Sequence, residues 1–311
     1  MNFLVIGEPC VDVIHTVNNE KIQSYGGILY SIITLAVLAE NDDSVLPIMN
    51  LGSDEYDNIT SILKLYPNIL LDGIYKVEHP TRKVNLYYHI YRSGKSARME
   101  SSTAPTYTLE YEKISPFLKR ADAMLINMIS GVDINLDTLK QIRNNFSGPM
   151  HIDIHNLVMK TNPDGTREHT HLENWVDWCT NTDTLQMNEF EIAVISAEKK
   201  NEYNIADKIL IHSQKNVRGI AVTKGIEGVT GYTKAEKKYG DTLYVDLERM
   251  DLPAIENPHF KDTTGCGDVF AASFLFDYSK NLTFGKALHY ANRKASFNTS
   301  LEGINELCNL K

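Results

Sequence analysis

The residues best suited to chemistry lie in Asp262-Thr263-Thr264-Gly265-Cys266-Gly267-Asp268, which runs into the apolar stretch Val269-Phe270-Ala271-Ala272-Ser273-Phe274-Leu275-Phe276. Gly265 and Gly267 allow a tight turn and a close backbone approach to a ligand. A helix starting after them would present unbonded N–H groups with positive partial charge, a setting for a phosphate or a developing anion. Asp268 falls in the first turn of that helix. A carboxylate there repels an anion, so its chemical use beside an anion hole is to accept a proton. As a bare pattern, an N-capping Asp after a glycine-rich turn is the commoner origin of the same residues.

A second grouping, His151, Asp153 and His155, alternates, and a strand would put all three on one face. Imidazole and carboxylate would suit zinc or iron. The plainer reading is a polar strand face turned into a substrate cleft or bonded to neighbouring helices. Asp153 and His155, near the carboxyl end of the strand, are then substrate neighbours. His169 and His171 fall in the polar segment 161–174, read as a solvated loop. No Gly-x-x-x-x-Gly-Lys-Ser/Thr loop is present and no Gly-x-Gly-x-x-Gly follows the first strand, which disfavours a P-loop ATPase and a dinucleotide-binding dehydrogenase.

The elements that must position these groups alternate β-rich runs (3–6, 45–49, 123–127, 151–154, 185–187, 219–222) with helical stretches, among them 28–39, 55–65, 136–145 and 206–214. Near-continuous apolar strands between helices predict a mostly parallel sheet covered on both faces. Residues 73–101 break the alternation, with strand-like runs at 74–77, 84–91 and 96–100 and a turn at Ser93-Gly94. Two further short runs, 13–17 and 21–25, flank the polar turn Asn18-Asn19-Glu20. Together they predict a small antiparallel sheet projecting from the main one, either as surface hairpins or as a lid over a ligand. Its tyrosines Tyr87, Tyr88 and Tyr91 either bury one hairpin face or stack on a sugar or base. Arg82 and Arg98 read as exposed, with contact to a phosphorylated substrate as the alternative. Trp175 and Trp178 read as core. No repeat of 20–50 residues and no low-complexity linker divides the chain, so it is read as one domain over 1–311, with the lid at about 13–25 and 74–101.

Composition narrows the classes. With 42% hydrophobic and 23% charged residues, the 311-residue chain is globular rather than disordered or fibrous. A formal charge of −9 argues against nucleic acid or an anionic membrane as partner. Cys10, Cys179, Cys266 and Cys308 are too scattered for a disulfide scaffold or a cysteine zinc site. Residues 1–8 lack a basic start and read as a first core strand, not a signal peptide. The apolar stretch 28–39 contains Ser31 and Thr34 and is too short to span a bilayer. A soluble, cytoplasmic protein is expected.

The 262–268 segment resembles the C-terminal signature of the ribokinase, or phosphofructokinase-B, family of sugar and nucleoside kinases. Cys266 stands where that family most often has Ala, and Ser273 where it prefers Ala or Gly; the glycines and both acids are kept. Other motifs arrive in the family's order. Gly7-Glu8-Pro9-Cys10-Val11-Asp12 resembles the first strand ending in an Asp that holds sugar hydroxyls. Gly26-Gly27 resembles the Gly-Gly motif that opens a helix beside the substrate, and Leu51-Gly52-Ser53-Asp54 the Val-Gly-x-Asp element. Asn188-Glu189-Phe190-Glu191 fits the Asn-x-x-Glu motif, which organises the magnesium and phosphate region largely through water. Thr223-Lys224-Gly225-Ile226-Glu227-Gly228 fits the Thr-x-Gly-x-x-Gly turn near the nucleotide, and the Asn292 region resembles the helix lining the adenine pocket. The family's lid falls where the hairpins are, which favours the lid reading.

The resemblance implies a ribokinase-like α/β fold and an ATP- and Mg²⁺-dependent kinase acting on a hydroxyl of a small sugar or sugar-like substrate. Asp268 would be the base, and the backbone N–H groups of Gly265, Cys266 and Gly267 the anion hole. Asp12, Gly26, Gly27 and Ser31 would meet the substrate, with Asp153 and His155 beside it. Asn188, Thr223, Gly225, Gly228, Asp262, Thr263 and Asn292 would serve the nucleotide, and Glu191 with Asn188 would orient hydrated Mg²⁺ through water. A monovalent cation and a homodimer formed through the lid are further expectations. Two departures bear on the substrate. Ser31 takes the usual Asn position, and Asp153-Ile154-His155-Asn156-Leu157-Val158 lacks the Arg with which many members recognise acidic sugars. The alternatives are a nucleoside kinase and a catalytically silent ligand-binding protein on the same fold; retention of Asp268 with its flanking glycines argues against the latter.

Overall fold

Alternation along the first strand divides the interior into two. Phe3 and Val5 join the core cluster on one side of the sheet and Leu4 and Ile6 the cluster on the other, as a period of two requires. The computed structural model describes residues 1–15, 21–40, 42–90, 96–198, 200–213, 215, 217–239 and 242–310. Its strands in the first half are β1 (Asn2–Ile6), β2 (Pro9–His15), β3 (Lys21–Gly27), β4 (Ser44–Gly52), β5 (Ile74–Val77), β6 (Arg82–Ile90) and β7 (Ser96–Ser102). Then follow β8 (Ala123–Asn127), β9 (Met150–Asp153), β10 (Met159–Thr161), β11 (Arg167–His169), β12 (Thr184–Asn188), β13 (Gly219–Thr223), β14 (Val229–Tyr239) and β15 (Thr242–Leu252).

Among the described residues a nine-stranded sheet has the order β15-β14-β13-β12-β9-β8-β1-β4-β5. The strands from β13 to β5 run parallel; β14 and β15 close one edge antiparallel. Helix α1 (Ile28–Leu38) is buried at every position, Ser31 and Thr34 included, as expected of a helix apolar all round. It packs with α2 (Tyr56–Leu63) on one face of the sheet. Helix α3 (Leu136–Asn145) and the short α4 (Glu189–Val194) lie on the other. Two long helices follow the hairpin: α5 (Cys266–Asn281) joins α1 on the first face, and α6 (Phe284–Asn298) covers the antiparallel edge with Phe270 and Phe274. Trp178 is core and Trp175 packs against it. Among the described residues no helix is long and apolar enough to cross a membrane.

The small sheet has the order β3-β2-β6-β7, with β2 and β6 parallel and the outer pairs antiparallel. Its limits differ from the sequence expectation. Residues 74–77 pair with β4 as the edge of the main sheet, Met49 opposite Ile74, because a four-residue strand following α2 completes a parallel crossover. The expected turns Asn18-Asn19-Glu20 and Ser93-Gly94 lie outside the described residues, as do Tyr91 and the side chains of Tyr88 and Arg98.

Behind the carboxyl edge of β1 and β8, Glu8 and Asp133 are both buried, each with one carboxylate oxygen unpartnered. Burial, reinforced by the charge of Glu8, pushes Asp133 up to about 7. A carboxyl raised above its unfolded value of ~3.9 stabilises the fold most at low pH, and that contribution is lost as pH rises through about 7. Asp133→Asn is therefore expected to shrink the drop in urea midpoint between pH 5 and pH 8. An unchanged drop would dismiss Asp133 as its source.

Candidate active site

Helix α5 begins from Gly265 in the left-handed region, at φ 74°. A Cβ at Gly265 would lie 2.3 Å from Cδ1 of Tyr30, so the turn is shaped by the bare backbone pressed against that ring. At Gly267 the nearest atom to an added Cβ is Gln186 Nε2 at 3.8 Å, which leaves the backbone open on that side. The N–H of Cys266 donates to the Thr263 carbonyl at 3.1 Å. Of the three N–H groups expected to form an anion hole, the middle one is therefore engaged by the turn itself. Burial pushes the Cys266 thiol up to about 11, and its Sγ accepts from Asn298 Nδ2 at 3.3 Å. It is a packed, neutral thiol.

Asp268 is buried in the first turn. Asn127 Nδ2 donates to its Oδ1 at 2.7 Å and reaches Ser31 Oγ at 3.4 Å, while Ser31 Oγ donates to the Asp268 carbonyl at 3.2 Å. Burial pushes Asp268 up to about 7; the Asn127 donor opposes the rise and the charge of Asp12 adds to it. Ser31 thus stands behind Asp268 on fully buried α1 and does not border the cavity, which corrects its expected place beside the substrate. Asn127 was legible only as the end of a strand, although a polar residue closing an apolar strand at the carboxyl edge is itself a signal.

Two spaces meet at this helix start. A cavity of about 420 Å³ takes in Asp12, Gly27, Asp153, His155, Asn188, Glu191 and Asp268. A groove of about 640 Å³ runs past Gly225, Gly228, Cys266 and Asn292, with Ile226 and Phe260 among its apolar walls. Thr223, Thr263 and Gly267 border both. Gly26 and Asp262 border neither. A Cβ at Gly26 would come within 2.1 Å of Asp12 Oδ2, so Gly26 makes room for that carboxylate. Asp262 Oδ1 accepts the Thr263 N–H at 2.7 Å and shapes the turn. Asp54 does similar work, accepting from Thr81 N at 2.8 Å and Oγ1 at 2.9 Å.

Asn188 and Glu191 form a reciprocal capping box at α4. Asn188 Oδ1 accepts from Glu191 N at 2.8 Å, and the Glu191 oxygens accept from Asn188 N at 2.7 Å and Nδ2 at 2.6 Å. Both carboxylate oxygens are engaged, which suits contact with a cation through water. Burial pushes Glu191 up to about 8, with the Asn188 donors opposing. Asp153 also rises, through burial and then the charges of Glu191 and Asp268. Asp153, Glu191 and Asp268 are thus buried carboxylates close enough to disfavour ionisation of the first two.

His151 takes no part. It is fully buried, shares a hydrogen bond with Thr184 Oγ1 at 2.9 Å and stacks on Phe274 at 4.7 Å. Burial holds it neutral, down at about 3. Among the described residues no group of three His, Cys, Asp or Glu could hold a metal ion, so the strand-borne metal reading fails and Asp153 with His155 borders the cavity instead.

Two arginines line the cavity, Arg82, for which contact with a phosphorylated substrate was the alternative reading, and Arg167, which the sequence did not single out. Arg82, expected to be exposed, is only 2% exposed and borders the cavity, donating to the Ile129 carbonyl at 3.0 Å and Ser102 Oγ at 3.4 Å. The segment read as a solvated loop forms the β10–β11 hairpin and delivers Arg167 to the same cavity, paired with Glu100 at 2.8 Å.

A mostly parallel sheet whose carboxyl edge brings two such spaces to one glycine-opened helix start has the fold of a ribokinase-like carbohydrate kinase. Residues 161–310 match the model of the pfkB family carbohydrate kinases. The fold extends along the whole chain. The ribokinase of Arabidopsis thaliana complexed with ribose and ATP is 16% identical, with 99% of this chain and 97% of that one covered and a TM-score of 0.68. A pyrophosphate-dependent kinase in the ribokinase family, complexed with a pyrophosphate analog and myo-inositol, is 14% identical over 97% and 96% at a TM-score of 0.72. The Burkholderia thailandensis nucleoside kinase in complex with inosine is 12% identical over 99% and 94% at 0.70. Curated protein sequences give no match.

Proposed function

We propose that this protein transfers the γ-phosphoryl group of ATP to a hydroxyl of a small sugar-like substrate, with Asp268 as general base. The observation that carries the reading is the meeting of cavity and groove at Gly267, one residue from the buried Asp268 carboxylate. An acceptor hydroxyl held by Asp12 would be oriented toward Asp268 Oδ2, because Asn127 engages Oδ1. The N–H groups of Gly265 and Gly267 would steady charge on the group in transfer. Hydrated Mg²⁺, held near Asn188 and Glu191, would neutralise phosphate charge. The small sheet is read as the lid that excludes water from the reaction.

The apolar walls at Ile226 and Phe260 favour a nucleotide over pyrophosphate as donor, since pyrophosphate has no use for them. Tyr87 is stacked on His15 at 4.3 Å, which leaves it poorly placed to receive a nucleobase and favours a sugar-like acceptor over a nucleoside. Product formation from MgATP and from pyrophosphate across pentoses, hexoses, sugar acids, sugar phosphates and nucleosides tests both choices. Turnover with pyrophosphate and none with ATP would reverse the donor assignment.

A further inference from the structure

We infer that the cavity recognises an acceptor bearing an anionic oxygen group, a carboxylate or a phosphate, through Arg82 and Arg167. The inference rests on the kinase reading of the cavity but concerns its opposite wall, built by the small sheet and the β10–β11 hairpin. Arg82 is almost wholly buried, yet its partners are a carbonyl and a hydroxyl, and its Nε has none. Among the described residues no carboxylate lies within ion-pair distance of it. A buried guanidinium without a counter-charge is costly, and the open space before this one is the substrate cavity itself.

Arg167 adds a second positive charge. Its side chain is 4% exposed, Glu100 engages one nitrogen, and its Nε is unpartnered. Both arginines line the cavity, with Glu100 beside them; burial and then the charge of Arg82 lower the pKa of Arg167, and the charge of Glu100 opposes the fall. The hairpin that carries it is tied to the small sheet through Ser102 N to the Gly165 carbonyl at 3.3 Å, so its placement follows from the fold. Asp12 and Asp153 suit hydroxyls and repel anions, whereas two guanidinium forks suit a carboxylate or phosphate in bidentate geometry. The cavity is thus bipolar. It fits a polyol with an acid at one end, and a neutral sugar would leave Arg82 uncompensated.

The test compares the melting temperature of wild type and Arg82→Gln with inorganic phosphate and with two matched series: ribose, ribonate and ribose 5-phosphate, and fructose, gluconate and fructose 6-phosphate. Anions are expected to stabilise the wild type and to bind Arg82→Gln roughly tenfold or more weakly, the loss typical of a charged hydrogen bond, while neutral sugars are unaffected. The carboxylate and phosphate arms identify the group. Phosphate resting at the α5 start contributes equally to both proteins and cancels. Equal responses of the two proteins to every anion overturn the inference. If Arg82→Gln fails to fold by near-UV circular dichroism, Arg167→Gln and the charge-retaining Arg82→Lys carry the same comparison. ADP release measured alongside separates the two readings. Anion binding lost in Arg82→Gln, with no ADP released by any anionic acceptor, keeps the anion site and sinks the kinase. ADP released from a neutral sugar, together with equal responses of the two proteins to every anion, does the reverse.

Discussion

Asp268→Asn is expected to abolish turnover, by about 10²–10⁴-fold, while leaving substrate binding and folding close to wild type. The asparagine keeps the size of the carboxylate, and its carbonyl oxygen can still accept from Asn127, so the local frame survives while the proton acceptor is lost. Burial raises Asp268 to about 7 in the unliganded protein. The base works deprotonated, so kcat/KM should climb with pH through about 7 and then level off. Asn127→Leu removes the donor that holds this pKa down and should move the rise to higher pH, with kcat lowered as well. A variant Asp268→Asn that retained more than a tenth of wild-type kcat would remove Asp268 from the role of base. An Asn127→Leu profile superimposable on wild type would remove Asn127 from its positioning role.

The difference between what was legible in the sequence and what was not follows from how each element is stabilised. β1, β8 and α1 are apolar at nearly every position because they are covered on all sides, and such runs can be read without knowing what covers them. The β14–β15 hairpin was missed. Its segment Thr233-Lys234-Ala235-Glu236-Lys237-Lys238 is charged at the edge of the sheet, where half the side chains face water and apolar alternation is faint. The hairpin at Met159–Thr161 and Arg167–His169 has three residues per strand, too few for any period to declare itself.

The site divides in the same way. Gly265, Gly267 and Asp268 announced themselves because a glycine-rich turn, a helix start and an acid coincide within a few residues. The burial of Arg82 and Ser31 was not legible, because it depends on partners distant in sequence: Ile129 for the first, Asn127 and Asp268 for the second. A serine replacing an expected asparagine looked like a lost substrate contact. In the folded chain it donates to the backbone carbonyl of Asp268.

The second large effect is expected at Gly265→Ala. The residue sits at φ 74°, where an L side chain costs about 1–2 kcal/mol before any contact is made. Here the new Cβ would also lie 2.3 Å from Cδ1 and 2.4 Å from Cε1 of Tyr30. Tyr30 is itself buried on α1 and cannot swing away into solvent, so the turn must yield instead. Yielding moves the Gly265 and Gly267 N–H groups relative to Asp268, and misplacement of about an ångström can cost about a hundredfold in rate. Gly265→Ala should therefore lose about 100-fold or more in kcat together with several degrees in melting temperature. Gly225→Ala provides the control for strain without a clash: its φ is 53°, but nothing lies within 4 Å of an added Cβ. It should fold with only a modest loss of stability. Cutting back the obstructing ring, as Tyr30→Ala in the Gly265→Ala background, should recover part of the lost rate if the clash is the cause. Wild-type kcat in Gly265→Ala would show that the helix start does not set the geometry of transfer.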